Sequence, residues 1–431
     1  APSYGTGAYY LACACDEILL MPTGSVRALG FSSTSLFLAD GLARLGLGAD
    51  FVQVSPYKSA ADPLTKSSMS DELREQISWL LESQHEELLT AIAESRLLDS
   101  AGAKELIDCS PYGDDVAVEK RAVDRVVGEE GLPAHLARGA GAPVSIGTWE
   151  RASRKMRTPP PTLRLRKYVA LMRIEGTIID GRSGHLPIKP PFEVPLVGDD
   201  RAGDLSVVQV ARQVAADKRA AAVVLYVNSR GGSSTASEAM RHALAVVGQR
   251  KPIVVVMGPV AASGGYWVSM PGSWIVARPG TITGSIGVLS GKIVTGSMWE
   301  KLLFSRETIA RGDRVLLESD ERPFTDEERS IVRADITRIY NAFLRLVESA
   351  RKMTSDELAP IAGEGAGGAV GQGSDARSTQ TAASDSAPRR AGAGRGLVRL
   401  PARGLQPPER GTRPGRDGVP TRRSHLTEIC R

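Results

Sequence analysis

The sequence predicts an α/β fold, and three features of the chain indicate it. Short apolar runs rich in β-branched residues alternate with segments whose apolar residues recur at helical spacing. The strongest run, residues 253–257, is followed by small residues and a short helical pattern. Long parts of the chain also match each other, which indicates two tandem copies of one domain. Apolar strands that alternate with helices are typical of a parallel sheet packed between helices.

Composition limits the classes of function. The chain has 431 residues, enough for two or three domains, and a net charge of +5. Residues 364–431 contain 12 Arg, no Lys and 6 acidic residues, so the first 363 residues carry a net charge of −1. Nothing therefore indicates binding to nucleic acid. The four cysteines do not form a disulfide framework, no metal site is expected, and no apolar run approaches the 18 residues of a membrane span.

The internal repeat defines the domains. Tyr9-Tyr10-Leu11 matches Tyr266-Trp267-Val268 at a spacing of 257 residues, and Arg96 matches Arg351 at a spacing of 255. On this alignment the first copy lacks about 95 residues of its N-terminal half. We predict a truncated first domain at 1–138, a Pro- and Arg-rich linker at 139–166, a second domain at 167–363, and a disordered low-complexity tail at 364–431.

The elements of each copy follow from periodicity and turn residues. In the first copy we predict strands at 17–21 and 50–54, helices at 36–45 and 70–98, and two short helices with a strand in 101–127. In the second copy we predict strands at 168–178, 220–227, 253–257, 274–277 and 281–289, a polar loop at 193–204, and helices at 207–216, 235–247, 264–269 and 326–353.

Ser263 is the candidate nucleophile. It lies where an apolar strand passes through small residues into the start of a helix, which presents a hydroxyl at a sheet edge near a positive helix end. The alternative is a close-packed turn with an incidental serine. None of the five histidines (His85, His135, His185, His242 and His425) lies beside a glycine-rich turn, so a Ser-His-Asp triad has little support.

Lys58 is the best candidate for a base. A lysine acts as a base only when neutral, and burial can lower its usual pKa of about 10.4 by several units. Lys58 lies in a short loop between a predicted strand and a capped helix, with no acidic residue before Asp62. The alternative is a solvated surface lysine. Ser285, in a second glycine-rich strand, is a candidate partner for the lysine amine.

Three glycines are candidates for binding an oxyanion or the substrate. Gly231 and Gly232 follow a buried strand and precede a helix, where glycines let backbone N–H groups turn toward a developing oxyanion. Gly264, the residue after Ser263, is the third. The alternatives are a phosphate-type turn and plain tight packing.

Four ordered motifs carry a resemblance to a known family. They are the Ser263 stretch, Asn228–Glu238 (NSRGGSSTASE), Thr283–Val288 (TGSIGV) and Tyr57–Pro63 (YKSAADP). Together they resemble the signal peptide peptidase A (protease IV) family of Ser–Lys proteases in its long, duplicated form. The resemblance implies two tandem ClpP/crotonase-like domains, with Ser263 as nucleophile, Lys58 as general base and Ser285 orienting it. It also implies Gly231 and Gly232 near the oxyanion.

The resemblance further implies a function and partners. Members degrade cleaved signal peptides and other short apolar peptides, without a cofactor, as ring- or dome-like homo-oligomers. They act at the extracytoplasmic face of the cell membrane, usually through an N-terminal transmembrane helix that we do not find in this sequence. This sequence departs from the family pattern at Arg230, where the family usually has Pro, and at Asp62, where it usually has Glu.

The two copies support the assignment independently. Thr6 occupies the Ser263 position in the first copy, and the Lys58 position in the second copy falls in the region Arg311–Arg314, which has no lysine. Each copy has kept a different half of one dyad, as complementary decay after duplication predicts. Two alternatives stay open: a crotonase-type acyl-CoA enzyme on the same fold, and an inactive truncated fragment.

Overall fold

The computed structural model describes residues 1–137, 144–156, 167–185, 200–278 and 280–362. The predicted tail at 364–431 and residues 193–199 of the predicted polar loop lie outside the described residues. The chain divides into two compact units, one containing residues 1–32 and 81–156 and the other containing 33–80 and 167–362. This division does not follow the two sequence copies, because residues 33–80, which include Lys58, fold with the second copy.

The first half of the chain contains mostly short elements. They are β1 (Ser3–Tyr4), α1 (Thr6–Ala12), β2 (Leu19–Leu20), β3 (Ser25–Val26), α2 (Ala39–Leu45), β4 (Gly48–Gln53), α3 (Asp62–Thr65), α4 (Asp71–Arg96), α5 (Ser100–Asp108), β5 (Tyr112–Gly113), α6 (Asp114–Glu119), β6 (Arg125–Val126), α7 (Leu132–Ala137) and α8 (Trp149–Met156).

The second half contains the longer strands and a second 26-residue helix. Its elements are β7 (Tyr168–Glu175), β8 (Thr177–Ile179), β9 (Gly184–His185), β10 (Asp200–Gly203), α9 (Asp204–Ala216), β11 (Ala220–Ser229), α10 (Ser234–Gly248), β12 (Ile253–Ala262), α11 (Gly264–Ser269), β13 (Trp274–Val276), β14 (Ile282–Gly284), β15 (Leu289–Val294), α12 (Gly296–Lys301), α13 (Asp326–Arg351) and α14 (Ser355–Leu358).

The unit with residues 1–32 has its own small core. Strands β1, β3 and β5 form one sheet, and β2 pairs with β6 in parallel. Tyr9 of α1 is fully buried in a cluster that includes Leu88 and Ile92 of α4. The Tyr9 hydroxyl donates a hydrogen bond to Ala122 O at 2.6 Å, which satisfies the polar end of a buried ring.

A parallel sheet forms the centre of the other unit. Its strands lie in the order β13-β12-β11-β7. Strand β14 pairs in parallel with the C-terminal end of β12, beyond the residues that pair with β13. Alternate residues of β11 are buried (Val223, Leu225 and Val227), and they share one core with Met240 and Leu244 of α10. Burial of each such aliphatic side chain contributes about 1.5–3 kcal/mol to the stability of the fold. Burial therefore keeps this face of the sheet turned toward the core.

One antiparallel pair joins the two sequence copies within this unit. Strand β4 of the first copy pairs with β15 of the second, with Gly48 opposite Val294 and Gln53 opposite Leu289. The side chain of Asp50 in β4 also pairs with Arg329 of α13 at 2.7 Å. Both contacts hold the loop after β4 against the second copy.

Several predicted boundaries need correction. The predicted strand at 281–289 is wrong as a continuous strand, because φ is +76° at Gly284 and +48° at Ser285, and the chain turns there. The chain then enters β15, which the sequence pattern did not predict as a separate strand. The predicted strand at 168–178 likewise breaks at Gly176, where φ is +85°. Residues 200–203 of the predicted polar loop form β10.

Three properties of the described part of the chain bear on its chemistry. None of its helices is long and apolar enough to cross a membrane. None of its three cysteines (Cys13, Cys15 and Cys109) forms a disulfide bond. It contains no group of three or more His, Cys, Asp or Glu residues arranged to hold a metal ion.

Candidate active site

Ser263 occupies a strained turn between a strand and a helix. Strand β12 ends at Ala262, helix α11 begins at Gly264, and Ser263 between them has φ 54° and ψ −121°. Residues other than glycine seldom adopt a positive φ, and such a residue costs about 1–3 kcal/mol unless its surroundings hold it. Here the Ser263 N–H donates a hydrogen bond to Gly284 O at 2.8 Å. The serine thus has the sharp strand-to-helix geometry of a nucleophile, although the G-x-S-x-G pattern is absent.

Small residues allow this turn to pack closely. A Cβ added at Gly264 would lie 2.5 Å from Ser237 Oγ, and one added at Gly265 would lie 2.5 Å from Ser229 O. Because real Cβ atoms do not approach other atoms so closely, position 265 requires glycine, and a side chain at position 264 would displace the buried Ser237 hydroxyl. The two glycines let α11 start directly against the ends of β11 and α10.

The Gly231-Gly232 turn lies beside Ser263. Parallel pairing places Ser229 of β11 opposite Ala261 of β12, so both strands end at the same edge of the sheet. A Cβ added at Gly231 would lie 2.8 Å from Ser263 Cβ, and one at Gly232 would lie 2.1 Å from Ile178 O. Both glycines also have positive φ, +94° and +149°. No other residue type fits this turn without moving the serine or strand β8.

The amide groups around Ser263 differ in what they bind. Gly231 N–H donates to Ser229 Oγ at 3.1 Å, and the Ser229 hydroxyl in turn donates to Gly176 O at 2.6 Å. Gly231 therefore shapes the turn, and its N–H is already engaged. The N–H groups of Gly232 and Gly264 make no hydrogen bond to any residue that the structure describes. Both amides lie near the serine without a partner among the described residues.

Lys58 lies in the loop after β4, and its amine is nearly removed from water. Its Nζ donates to Ser285 Oγ at 2.9 Å and to Ser285 O at 3.0 Å. The residue is only 9% exposed. Burial without a neighbouring carboxylate disfavours the charged form and lowers the pKa of Lys58 to about 8. A substantial fraction of this amine is therefore neutral near physiological pH.

The β4–β15 pair is what brings Lys58 to Ser285. The pairing continues past the strands, since Val54 N–H donates to Val288 O at 3.1 Å. Lys58 follows Val54 in the loop after β4, and Ser285 precedes Val288 in the segment before β15. Gly287 leaves room for the lysine stem, because a Cβ there would lie 3.2 Å from Lys58 Cδ. The lysine is packed along its length, which limits its rotamers.

Hydrogen bonds hold the lysine loop to the start of α4. Gln76 is buried, its Nε2 donates to Tyr57 O at 2.9 Å, and its Oε1 accepts from Ser59 Oγ at 3.2 Å. The Asp62 carboxylate, also buried, accepts from Ser70 Oγ at 2.6 Å and pairs with Lys66 at 3.1 Å. The residues on both sides of Lys58 are thus fixed by side chains of α4 and its N-terminal loop.

Two successive hydrogen-bond contacts connect Lys58 to Ser263. Lys58 contacts Ser285 directly, and Gly284, the residue before Ser285, accepts the hydrogen bond from Ser263 N–H. Within the described residues the Ser263 hydroxyl makes no hydrogen bond, and in particular none to Lys58. All the predicted site residues lie in one compact unit.

Sequence reasoning missed two residues that support the site. Ser229 holds the Gly231 turn, as described above. Glu238 of α10 accepts from Trp267 Nε1 of α11 at 2.8 Å and from two nitrogens of Arg241 at 2.7 Å each. Burial alone would raise the pKa of Glu238, but the hydrogen bonds from Arg241 and Trp267 outweigh it and lower that pKa. The three-residue spacing of Glu238 and Arg241 on a helix was the available signal.

Comparison with known proteins gives the following similarities. The model of peptidase family S49 matches residues 2–142 and 245–383. The chain is 30% identical to Protease 4 of Salmonella typhi over 372 residues, 84% of this chain and 57% of that protein. It is 27% identical to the chloroplastic serine protease SPPA of Arabidopsis thaliana over 384 residues, 87% of this chain and 54% of that protein. The chain thus spans little more than half the length of these relatives.

The comparisons bear on the predicted fold. Two separate regions match one family model, which confirms the predicted tandem arrangement, and the observed elements confirm the α/β class. The solved structure of a mutant ClpP1 of Listeria monocytogenes also matches. The match covers 44% of this chain and 76% of the ClpP1 chain, with 13% sequence identity and a TM-score of 0.24. A similarity at that level supports no conclusion about the fold.

Proposed function

The chain belongs to peptidase family S49, and we propose that it is a serine endopeptidase with Ser263 as nucleophile and Lys58 as general base. One observation carries the proposal: a buried lysine with a pKa of about 8 is held on Ser285, next to the residue that binds Ser263 N–H. A lone surface lysine would be solvated and fully charged at neutral pH, so this burial favours a catalytic role.

Acylation begins with proton transfer. Neutral Lys58 Nζ accepts the proton of Ser263 Oγ while that oxygen attacks the carbonyl carbon of the peptide bond. Ser285 Oγ orients the amine for this transfer through the 2.9 Å hydrogen bond. Hydrogen bonds between nucleophile and base are often long in free enzymes and shorten when substrate binds, which accounts for the unpaired Ser263 hydroxyl.

The developing oxyanion needs donors that are already in place. The N–H groups of Gly232 and Gly264 have no partner among the described residues, and Gly232 N lies 3.4 Å from a Cβ added at Gly264, the residue after Ser263, so we assign both to the carbonyl oxygen. The Lys58 ammonium then donates its proton to the leaving amine nitrogen as the C–N bond breaks. Water, deprotonated by the same amine, attacks the acyl-enzyme ester, and Ser263 Oγ recovers its proton from Lys58.

We propose that the substrates are cleaved signal peptides and other short apolar peptides. We also propose that the protein acts on them at the extracytoplasmic face of a membrane. The support is the family resemblance of the four sequence motifs. The test compares apolar and charged peptides of equal length, with kcat/KM as the measurement. A preference of at least about tenfold for the apolar peptides is expected, since burying one or two extra apolar side chains contributes about 1.5–3 kcal/mol each. Equal values for both sets contradict the substrate proposal alone.

The serine assignment is tested by covalent labelling. A fluorophosphonate probe should label the protein, and Ser263→Ala should abolish both the labelling and the hydrolysis of an apolar peptide ester. Ser290→Ala, a change at an exposed serine of β15, is the matched control and should keep both. Labelling that persists in Ser263→Ala overturns the assignment. Turnover of an acyl-CoA without any labelling favours the crotonase alternative.

A further inference from the structure

The Gln76 side chain connects helix α4 to both neighbours of Lys58. It is only 4% exposed. Tyr57 O can only accept a hydrogen bond, so the amide nitrogen Nε2 faces it, at 2.9 Å. The amide oxygen Oε1 is left to accept from Ser59 Oγ, at 3.2 Å. Both polar groups of this buried amide are therefore engaged, one on each side of the lysine.

The state of the Lys58 amine depends on where this loop is held. Burial is the cause of its lowered pKa, with no contribution from a charged group. The position that buries the amine also places it on Ser285. A loop that moved away from Ser285 would let water reach the amine and would raise its pKa toward the usual value.

The charged residues of the surrounding elements are engaged with other partners. The Asp62 carboxylate at the start of α3 pairs with Lys66 at 3.1 Å. The Glu75 carboxylate of α4 accepts from the Tyr57 hydroxyl at 2.9 Å. Residues 285–288, on the β15 side of the amine, include no charged side chain. Packing of the loop is therefore what controls the amine.

We propose that Gln76 is a positioning residue, which clamps the loop so that the Lys58 amine stays dehydrated and directed at Ser285. The side-chain amide suits this task because it offers a donor and an acceptor together. A glutamate would turn an acceptor toward Tyr57 O, and a leucine would offer neither group. The effect on activity rests on the proposed role of Lys58 as base, whereas the effect on the amine itself does not.

The first measurement follows the amine independently of activity. NMR of protein labelled at the lysine Cε atoms reports the titration of each amine, and the signal of Lys58 is the one that Lys58→Met removes. In the wild type its midpoint should lie near pH 8. Gln76→Leu, a change to a side chain of similar size, should raise the midpoint by about one pH unit, because water reaches the amine. An unmoved midpoint overturns the proposal.

The second measurement is activity, which should follow the amine because Lys58 is the proposed base. When the midpoint rises by about one pH unit, the neutral fraction at pH 7 falls roughly tenfold. We therefore expect kcat of Gln76→Leu to fall about tenfold at pH 7 with KM little changed, and the loss to shrink toward pH 10. A moved NMR midpoint without this pH-dependent loss contradicts Lys58 as base and supports the clamp.

Two further variants separate positioning from stability. Ser59→Ala removes one of the two hydrogen bonds and should raise the midpoint by a smaller amount. It decides the question if Gln76→Leu does not fold, and an unmoved midpoint then overturns the proposal. Tyr9→Phe is the control, since it removes a buried hydrogen bond to Ala122 O in the unit with residues 1–32. This control should lose stability and keep the midpoint of the wild type, and a midpoint shifted as far as in Gln76→Leu contradicts a specific clamp.

Discussion

Lys58 Nζ lies 2.9 Å from Ser285 Oγ, although 227 residues separate the two in the chain. The hydrogen bond joins a loop of the first sequence copy to a turn of the second, and the β4–β15 pair beside it sets the distance. The contact also explains the state of the lysine. It is buried, its pKa is lowered to about 8, and its amine points at the turn that holds Ser263.

Removal of the amine should abolish activity and leave the fold intact. We expect Lys58→Ala to lower kcat at least about 10³-fold, because the variant has no base for the serine hydroxyl. Lys104→Ala, which removes an exposed lysine of α5 away from the lysine loop, should stay within about threefold of the wild type. The measurement is hydrolysis of an apolar peptide ester, with circular dichroism as the check on folding. Retained turnover in Lys58→Ala contradicts the role of the lysine.

Activity should rise with pH through the pKa of Lys58. With a pKa of about 8, roughly a tenth of the amines are neutral at pH 7 and roughly nine tenths at pH 9. In the proposed mechanism the neutral form is the base, so kcat/KM should increase close to tenfold per pH unit below pH 7 and level off above pH 9. A profile that is flat from about pH 6 to 9 excludes a titrating amine as the base.

The buried lysine should destabilise the folded protein at neutral pH. Its pKa is about 8 when folded and near 10.5 when unfolded, so between these values the unfolded chain binds more protons and stability rises with pH. The difference corresponds to about 3 kcal/mol. Lys58→Met should therefore be more stable than the wild type at pH 7, and this advantage should shrink toward pH 10. Urea unfolding of both proteins at the two pH values measures it, and a pH-independent difference contradicts the expectation.

Ser285 should act as a positioning residue. Ser285→Ala removes one of the two acceptors of the lysine ammonium, which disfavours the charged form and loosens the amine. We expect kcat to fall about 10–100-fold, with KM little changed and the midpoint of the pH profile shifted to lower pH. An unshifted midpoint in Ser285→Ala indicates that the hydroxyl does not act through the lysine.

Gly231 should not tolerate a side chain. The Cβ of Gly231→Ala would lie 2.8 Å from Ser263 Cβ and 2.6 Å from Gly264 N, so the nucleophile must move. We expect a loss of at least about 10²-fold in kcat. Gly181→Ala is the matched control, because Gly181 also has a positive φ, +111°, but its added Cβ meets nothing within 4 Å. The control should lose stability by about 1–3 kcal/mol, the cost of a positive φ in alanine, and keep its activity. Equal losses of activity in the two variants contradict a steric effect at the serine.

The candidate site residues could be predicted from the sequence because their signals are local. The run before Ser263, the glycines around it and the capped helix after Lys58 each occupy a few adjacent positions. Helix α11 begins and ends where the pattern predicts, because its residues lie between a buried strand and a close-packed turn. The predicted strand boundaries were wrong where a residue with positive φ interrupted an apolar run, as at Ser285. Apolar periodicity contains no information on backbone dihedral angles.

By itself, the sequence determined the α/β class, the duplication and the separation of serine and lysine between the copies, because these depend on residue type and spacing. Only the tertiary structure decided that residues 33–80 fold with the second copy, that Lys58 is buried on Ser285, and that Ser229 engages Gly231 N–H. The reason is physical. Desolvation, strand register and hydrogen-bond partners depend on which distant segments meet, and neighbouring residues do not specify that.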